Sequence, residues 1–238
     1  MAVVLTLATA TWFIYILDRL LDLRIYPFDY SERHQFHHRY QYILSVLCVI
    51  LGIIGLVLCF FLPLSILKAG LVLVLILGIY FFTLNKYLHH DTKQWVKEPV
   101  TAIFYVFSVV GMVFLSWPAI WLSAWILAFM FFLLVSQNLL LFSWFEIKQK
   151  PGVINTVTYF GESRSKKIIL LIGAVNLMLS IFFFGGGTAY VHLAAFTLGL
   201  ASMFLSFLTA YPDYFLKGEK YRWLGDAVFL FPAWLLLL

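Results

Sequence analysis

The chain has 238 residues, of which 63% are hydrophobic and 11% charged, and its mean hydropathy is +0.97. A soluble domain of this length is about half apolar and about a quarter charged, so composition excludes a water-soluble globule. Its roughly 150 apolar residues suffice for about seven or eight crossings of ~20 residues each, and the net charge of +5, from 16 Lys and Arg against 11 Asp and Glu, carries information through where the bases fall.

Eight spans are expected, near residues 3–17, 42–62, 66–84, 100–116, 119–145, 168–184, 189–211 and 223–238, which makes 1–238 a single all-α, polytopic transmembrane bundle. The first span starts beside Met1 without the basic leader and cleavage pattern of a signal peptide. Its abrupt beginning raises the expectation that a preceding helix is missing. It closes on Asp18-Arg19-Leu20-Leu21-Asp22, where i,i+4 spacing sets both carboxylates on one helix face at the negative end of the dipole. Such a pair calls for a cation: either a divalent ion such as Mg²⁺, its shell completed by substrate phosphates, or the neighbouring Arg19, Arg24 and Arg33. In the polar segment that follows, His34 and His38 are one helical turn apart, as metal ligands can be, but no second ligand cluster accompanies them. Arg33 and Arg39 suit bidentate phosphate contacts. Pro63 divides the long run 42–84 into two spans. Cys48 and Cys59 share one helix face roughly 16 Å apart, beyond disulfide reach.

Lys97-Glu98-Pro99 has the make-up of a helix start, with the acid near the positive dipole end and proline in the first turn; Lys97 is placed to point into a phosphate pocket. In the fifth span Ser136-Gln137-Asn138 interrupt the apolar run and either line a substrate cavity or bond neighbouring helices. Glu146 ends that span, with Lys148 and Lys150 beyond it. In the last span Arg222 and Asp226 have ion-pair spacing. The connections 18–40, 86–98, 146–167 and 212–222 hold 4, 3, 5 and 3 of the Lys and Arg residues, which is 15 of 16. The positive-inside rule sets all four on the cytoplasmic face, where function is expected. No nucleophile triad, P-loop, dinucleotide fingerprint or zinc helix is present, and no nucleic-acid partner is expected.

The residues around Asp18 and Glu146 resemble the UbiA-type membrane prenyltransferase superfamily, whose nine helices carry Asp-rich motifs after the second and sixth. With one helix missing, the loops after Asp18 and Glu146 occupy those two places. Ile14-Tyr15-Ile16-Leu17-Asp18-Arg19-Leu20-Leu21-Asp22 is similar to the first motif, Asn-Asp-x-x-Asp-x-x-x-Asp, in its last two acids. Gly152, Ile154-Asn155 and Phe160-Gly161 resemble the end of the second, with Lys148 and Trp144 where acids are usual and Glu146 as the nearest acid. The resemblance implies a UbiA-like fold and transfer of a prenyl group from a prenyl diphosphate to a lipophilic acceptor at the cytoplasmic face of a bacterial inner (plasma) membrane. It implies that Asp18 and Asp22 hold Mg²⁺ and, with Glu146, serve catalysis; that Arg33, Arg39, Lys97 and Lys148 contact the diphosphate; and that Asn138 and Glu146 position the acceptor. The alternative is a catalytically degenerate relative acting in lipid binding or assembly. A transporter would place acids near the bilayer midplane, whereas these acids cluster at one interface.

Overall fold

The computed structural model describes residues 2–25, 32–87, 97–116, 121–150, 152–183 and 188–237. Among the described residues every regular element is helical, as expected where hydrocarbon leaves backbone groups no partner but one another. Six helices are long and apolar enough to cross a membrane: α1 (Ala2–Ile25), α3 (Gln41–Cys59), α5 (Lys97–Ser116), α6 (Leu122–Gln149), α8 (Glu162–Phe183) and α9 (Ala189–Leu208). The protein is thus an all-α, membrane-embedded chain. The remaining helices are α2 (Glu32–Arg39), α4 (Leu64–Tyr87), α7 (Thr156–Phe160), α10 (Pro212–Leu216) and α11 (Lys220–Ala227), with 3₁₀ segments over Lys217–Glu219 and Val228–Leu237.

Two expected spans come out differently. That over 66–84 falls in α4, whose described apolar part is the shorter Leu64–Ile76. That over 223–238 is not one α-helix: α11 gives way at Val228 to the 3₁₀ segment, which contains Pro232. Proline has no N–H to donate and its ring crowds the carbonyl four residues back, so an α-helix cannot run through it undisturbed.

The chain divides into two compact units, Met1–Val74 and Leu75–Leu238. In the first, α1 and α3 pack antiparallel. A Cβ on Gly52 would lie 3.3 Å from the Phe13 ring, so this glycine eases close approach, whereas one on Gly55 would make ordinary contact, 3.8 Å from Thr9. Ile16 and Cys48 are buried there, and both cysteines are free thiols, as their spacing required. The hydroxyls of Thr6, Thr9 and Thr11 donate to carbonyls one turn back at 2.8–2.9 Å, which satisfies them within α1 itself.

In the second unit α6 is the axis. It runs antiparallel to α5, with the Phe114 and Trp125 rings 4.6 Å apart at one end and Ser143 on Glu98 at the other. It is also antiparallel to α8, where Gln137 reaches the Ile169 carbonyl and Asn176 the Met130 carbonyl. Helices α8 and α9 meet through small residues: Gly173 lies against Ser206, and Gly199 against Ser180. The Gln137 Nε2 donates to Ile169 O and Ser202 O at 3.0 Å and lies 2.9 Å from Ser206 Oγ. Asn176 Nδ2 donates to Met130 O at 3.2 Å and Ser202 Oγ at 2.6 Å. Both amides face backbone carbonyls, which only accept, so their orientations are fixed. Met130, Leu134, Leu141, Phe145, Ile169, Leu205 and Leu208 fill the space around this polar seam.

Candidate functional site

At ~1.5 Å per residue the 28 residues of α6 span about 42 Å, against ~30 Å of hydrocarbon. Its charged residues gather in the last turns, which carry Ser143, Trp144, Glu146 and Lys148. Two glycines with positive φ, Gly152 (φ 102) and Gly161 (φ 87), turn the chain back toward α8. Between them Asn155 caps α7: its Oδ1 accepts from Val157 N at 2.9 Å and Thr158 N at 3.2 Å. Its Nδ2 donates to the Ser143 carbonyl at 3.0 Å, which fastens the cap to α6.

The first turn of α5 adds Glu98, as its acidic helix start predicts. Its carboxylate accepts from Ser143 Oγ at 2.6 Å and from Thr156 Oγ1, joining α5, α6 and α7. Lys148 pairs with Glu162 at the start of α8. Beside that pair lies Trp144, 2% exposed, with the ammonium of Lys148 4.7 Å and that of Lys166 5.8 Å from its ring. Among the described residues the indole Nε1 has no acceptor, and the fully buried Ser165 Oγ has no partner. The antiparallel register through Gln137 and Ile169 sets Trp144 level with Glu162 and within about a turn of Ser165. Two unanswered donors and the Lys166 ammonium thus share one end of the α6–α8 pair with the Lys148–Glu162 ion pair, an arrangement in which an anion can find donors.

On the other side of α6, Arg222 pairs with Glu146 at 3.7 Å and with Glu219 at 3.0 Å. Gln149 Nε2 donates to Glu219 at 3.1 Å, and the Tyr221 hydroxyl donates to Gln149 Oε1 at 3.2 Å. Burial pushes the Tyr221 phenol up to about 12, opposed by Arg222 and aided by Glu219 and Glu146.

The residues proposed from sequence fall in different parts of the fold. Asp18 and Asp22 lie in α1, Arg33 in α2 and Lys97 at the start of α5, and their side chains lie outside the described residues. Arg39 ends α2, its guanidinium 5.7 Å from the Tyr40 ring. Lys148 belongs to the site through Trp144 and Glu162, whereas Glu146 faces Arg222. Gln137 bonds neighbouring helices, and Asn138, 3% exposed, has an Oδ1 that finds no donor among the described residues. Sequence reasoning missed Trp144, Ser165 and Lys166 as a group; the i,i+4 spacing of Trp144 and Lys148 was the available signal. Among the described residues no group of three His, Cys, Asp or Glu side chains gathers as metal ligands. No family model matches the chain, and neither a curated protein nor a solved structure matches it.

Proposed function

We propose that this chain is a UbiA-like protein of a bacterial inner membrane that binds the diphosphate of a prenyl diphosphate at the Trp144 end of its second unit. The observation that carries the proposal is Trp144: a buried indole N–H without an acceptor among the described residues, on a ring that two ammonium groups approach. A diphosphate oxygen accepts from such a donor, Lys166 offsets its charge and Lys148 adds to this as it exchanges Glu162 for phosphate, and a prenyl tail suits the apolar surfaces of the helices. Prenyl transfer is the activity that the resemblance implies. In it the allylic C–O bond breaks with its electron pair going to diphosphate, the acceptor bonds to the prenyl carbon and gives up a proton, and donors fixed at the departing oxygens lower the barrier. Asn138 and Glu146 are the proposed acceptor side. The resemblance would also have Asp18 and Asp22, in the first unit, hold Mg²⁺. The acids near Trp144 do not fit a metal, since Glu98 is taken by two hydroxyls, Glu162 by Lys148 and Glu146 by Arg222.

That engagement of the acids favours a second reading, a binder without transfer. Titration with farnesyl diphosphate, with and without Mg²⁺, separates the two when thermal stability and diphosphate release are both read. Release that disappears in Asp18→Asn and in Asp22→Asn supports transfer; stabilisation without release supports binding alone. Trp144→Phe keeps the ring and removes the N–H, so under either reading it weakens farnesyl diphosphate binding by roughly 10- to 150-fold, the equivalent of one charge-assisted hydrogen bond. Absence of binding to the unsubstituted protein would sink both.

A further inference from the structure

Helix α11 meets α6 at one point of close approach. A Cβ on Gly225 would overlap the Phe142 ring and lie 2.8 Å from Asn138 Oδ1, so glycine alone allows α11 to cover the Asn138 carboxamide. Beneath that cover the oxygen is buried and meets no donor among the described residues, a costly arrangement for an amide inside a bundle. Its surroundings are aromatic: Phe142 is next to it, and the Tyr105, Phe131 and Phe229 rings of three different segments lie 5.7–6.3 Å from one another further along α6.

Helix α11 is attached in a way that suits movement. It is preceded by two consecutive left-handed residues, Gly218 (φ 64) and Glu219 (φ 49), and the second is the only non-glycine residue with positive φ among the described residues. The Tyr221 ring packs on Phe145, and the other ties of this end to α6 are polar: Arg222 on Glu146, and Glu219 and Tyr221 on Gln149. Such contacts exchange with water more readily than packed apolar surface does. Beyond Ala227 the chain continues as a 3₁₀ segment rather than as α-helix, so α11 is a short element between two changes of backbone form.

We propose that α11 is a hinged gate over a second ligand-facing site, in which Asn138 Oδ1 accepts a hydrogen bond from the hydroxyl or N–H of a lipophilic molecule admitted when Gly225 moves away. Arg222 and Glu146 form the latch, and Gly218–Glu219 the hinge. The gate stands without the prenyl diphosphate reading; only the assignment of its ligand as a prenyl acceptor rests on that reading.

The gate is tested on the full chain with Cys48→Ala and Cys59→Ala, adding Asn138→Cys and timing its reaction with a small methanethiosulfonate reagent. The expected result is slow labelling that accelerates more than tenfold when Arg222→Gln opens the latch, while Ser202→Cys in the α8–α9 seam stays protected. Equal rates with and without the latch would overturn the gate, as would equal acceleration at Ser202→Cys, which reports general loosening. Should Asn138→Cys fail to fold, hydrogen exchange replaces it: Arg222→Gln must speed exchange of residues 220–227 at least tenfold and leave 201–208 unchanged, and any other outcome overturns the gate as well. For the site, dodecanol should raise the melting temperature of the unsubstituted protein but not of Asn138→Leu, and dodecyl methyl ether, which lacks the donor, should raise neither. Equal shifts for alcohol and ether would remove the ligand-facing site. Farnesyl diphosphate binding at Trp144 is read separately, so failure of either proposal is visible by itself.

Discussion

Helix α3 is the most hydropathic of the six candidate spans, and almost none of it is buried by the chain; α9 is among the less hydropathic, and half of it is buried. The first unit thus exposes Ile43, Val49, Ile53, Leu56 and Phe60, while the second covers Gln137, Asn176, Ser202 and Ser206. In water this ordering would be perverse. In a bilayer, lipid tails are as apolar as leucine, so apolar area by itself does not draw helices together; close approach at small residues and interhelical hydrogen bonds do. The second unit combines both features, and burial does not follow hydropathy: α1 is the least hydropathic span yet as little buried as α3, while α6 is second in hydropathy and nearly half buried.

Close approach can be spoiled in each unit by filling a glycine. Gly173→Leu in α8 would drive a side chain into Ser206 Oγ, which already occupies the place a Cβ would take. A loss of roughly 2–3 kcal/mol is expected in reversible unfolding in detergent. Gly55→Ala in α3 meets only Thr9 at 3.8 Å and should be neutral, or stabilising by up to about 1 kcal/mol through helix propensity. Equal losses would mean that α1–α3 packing is as tightly specified as α8–α9.

Hydrogen bonds give the next effect. Gln137→Leu leaves the carbonyls of Ile169 and Ser202 without the amide that bridges them, for an expected cost of about 1–2 kcal/mol. Thr9→Val removes only a hydroxyl bonded within its own helix and should change stability by less than about 0.5 kcal/mol. Lipid-facing Ile53→Ala belongs with Thr9→Val; a cost as large as that of Gln137→Leu would show that α3 is covered in solution by something other than detergent.

Much of this is legible in the sequence, for reasons that differ by residue. Apolar runs locate the long helices because helix formation in hydrocarbon depends on length and composition alone. Lys97-Glu98-Pro99 locates the start of α5 because capping chemistry is local. Pro232 is equally visible, yet the apolar run around it masks its effect on the last expected span. Gln137 and Asn138 are adjacent and chemically alike, and no local rule says that one bridges α8 and α9 while the other lies under Gly225; that is decided by residues 32 to 87 positions away. For the same reason Trp144 reads in sequence as a missing acid: Lys166 and Ser165 reach it only through the turn that Gly152, Asn155 and Gly161 build.

A pH-dependent effect concerns the attachment of the C-terminal segment to α6, where the second unit again relies on a buried polar group. Tyr221 stacks on Phe145 with centroids 4.5 Å apart and donates to Gln149, and its pKa is raised to about 12 against about 10 for an unfolded tyrosine. Between those values the native chain keeps a proton that the unfolded chain gives up. The contribution is therefore complete below pH ~10 and is lost as pH rises toward ~12. Tyr221→Phe lacks this titration but keeps the stacking. The gap in melting temperature between the two proteins should stay constant from about pH 8 to about pH 10 and then narrow. A gap that stays level up to about pH 11.5 would mean that the phenol titrates alike in both states, and that its burial against α6 does not disfavour the phenolate.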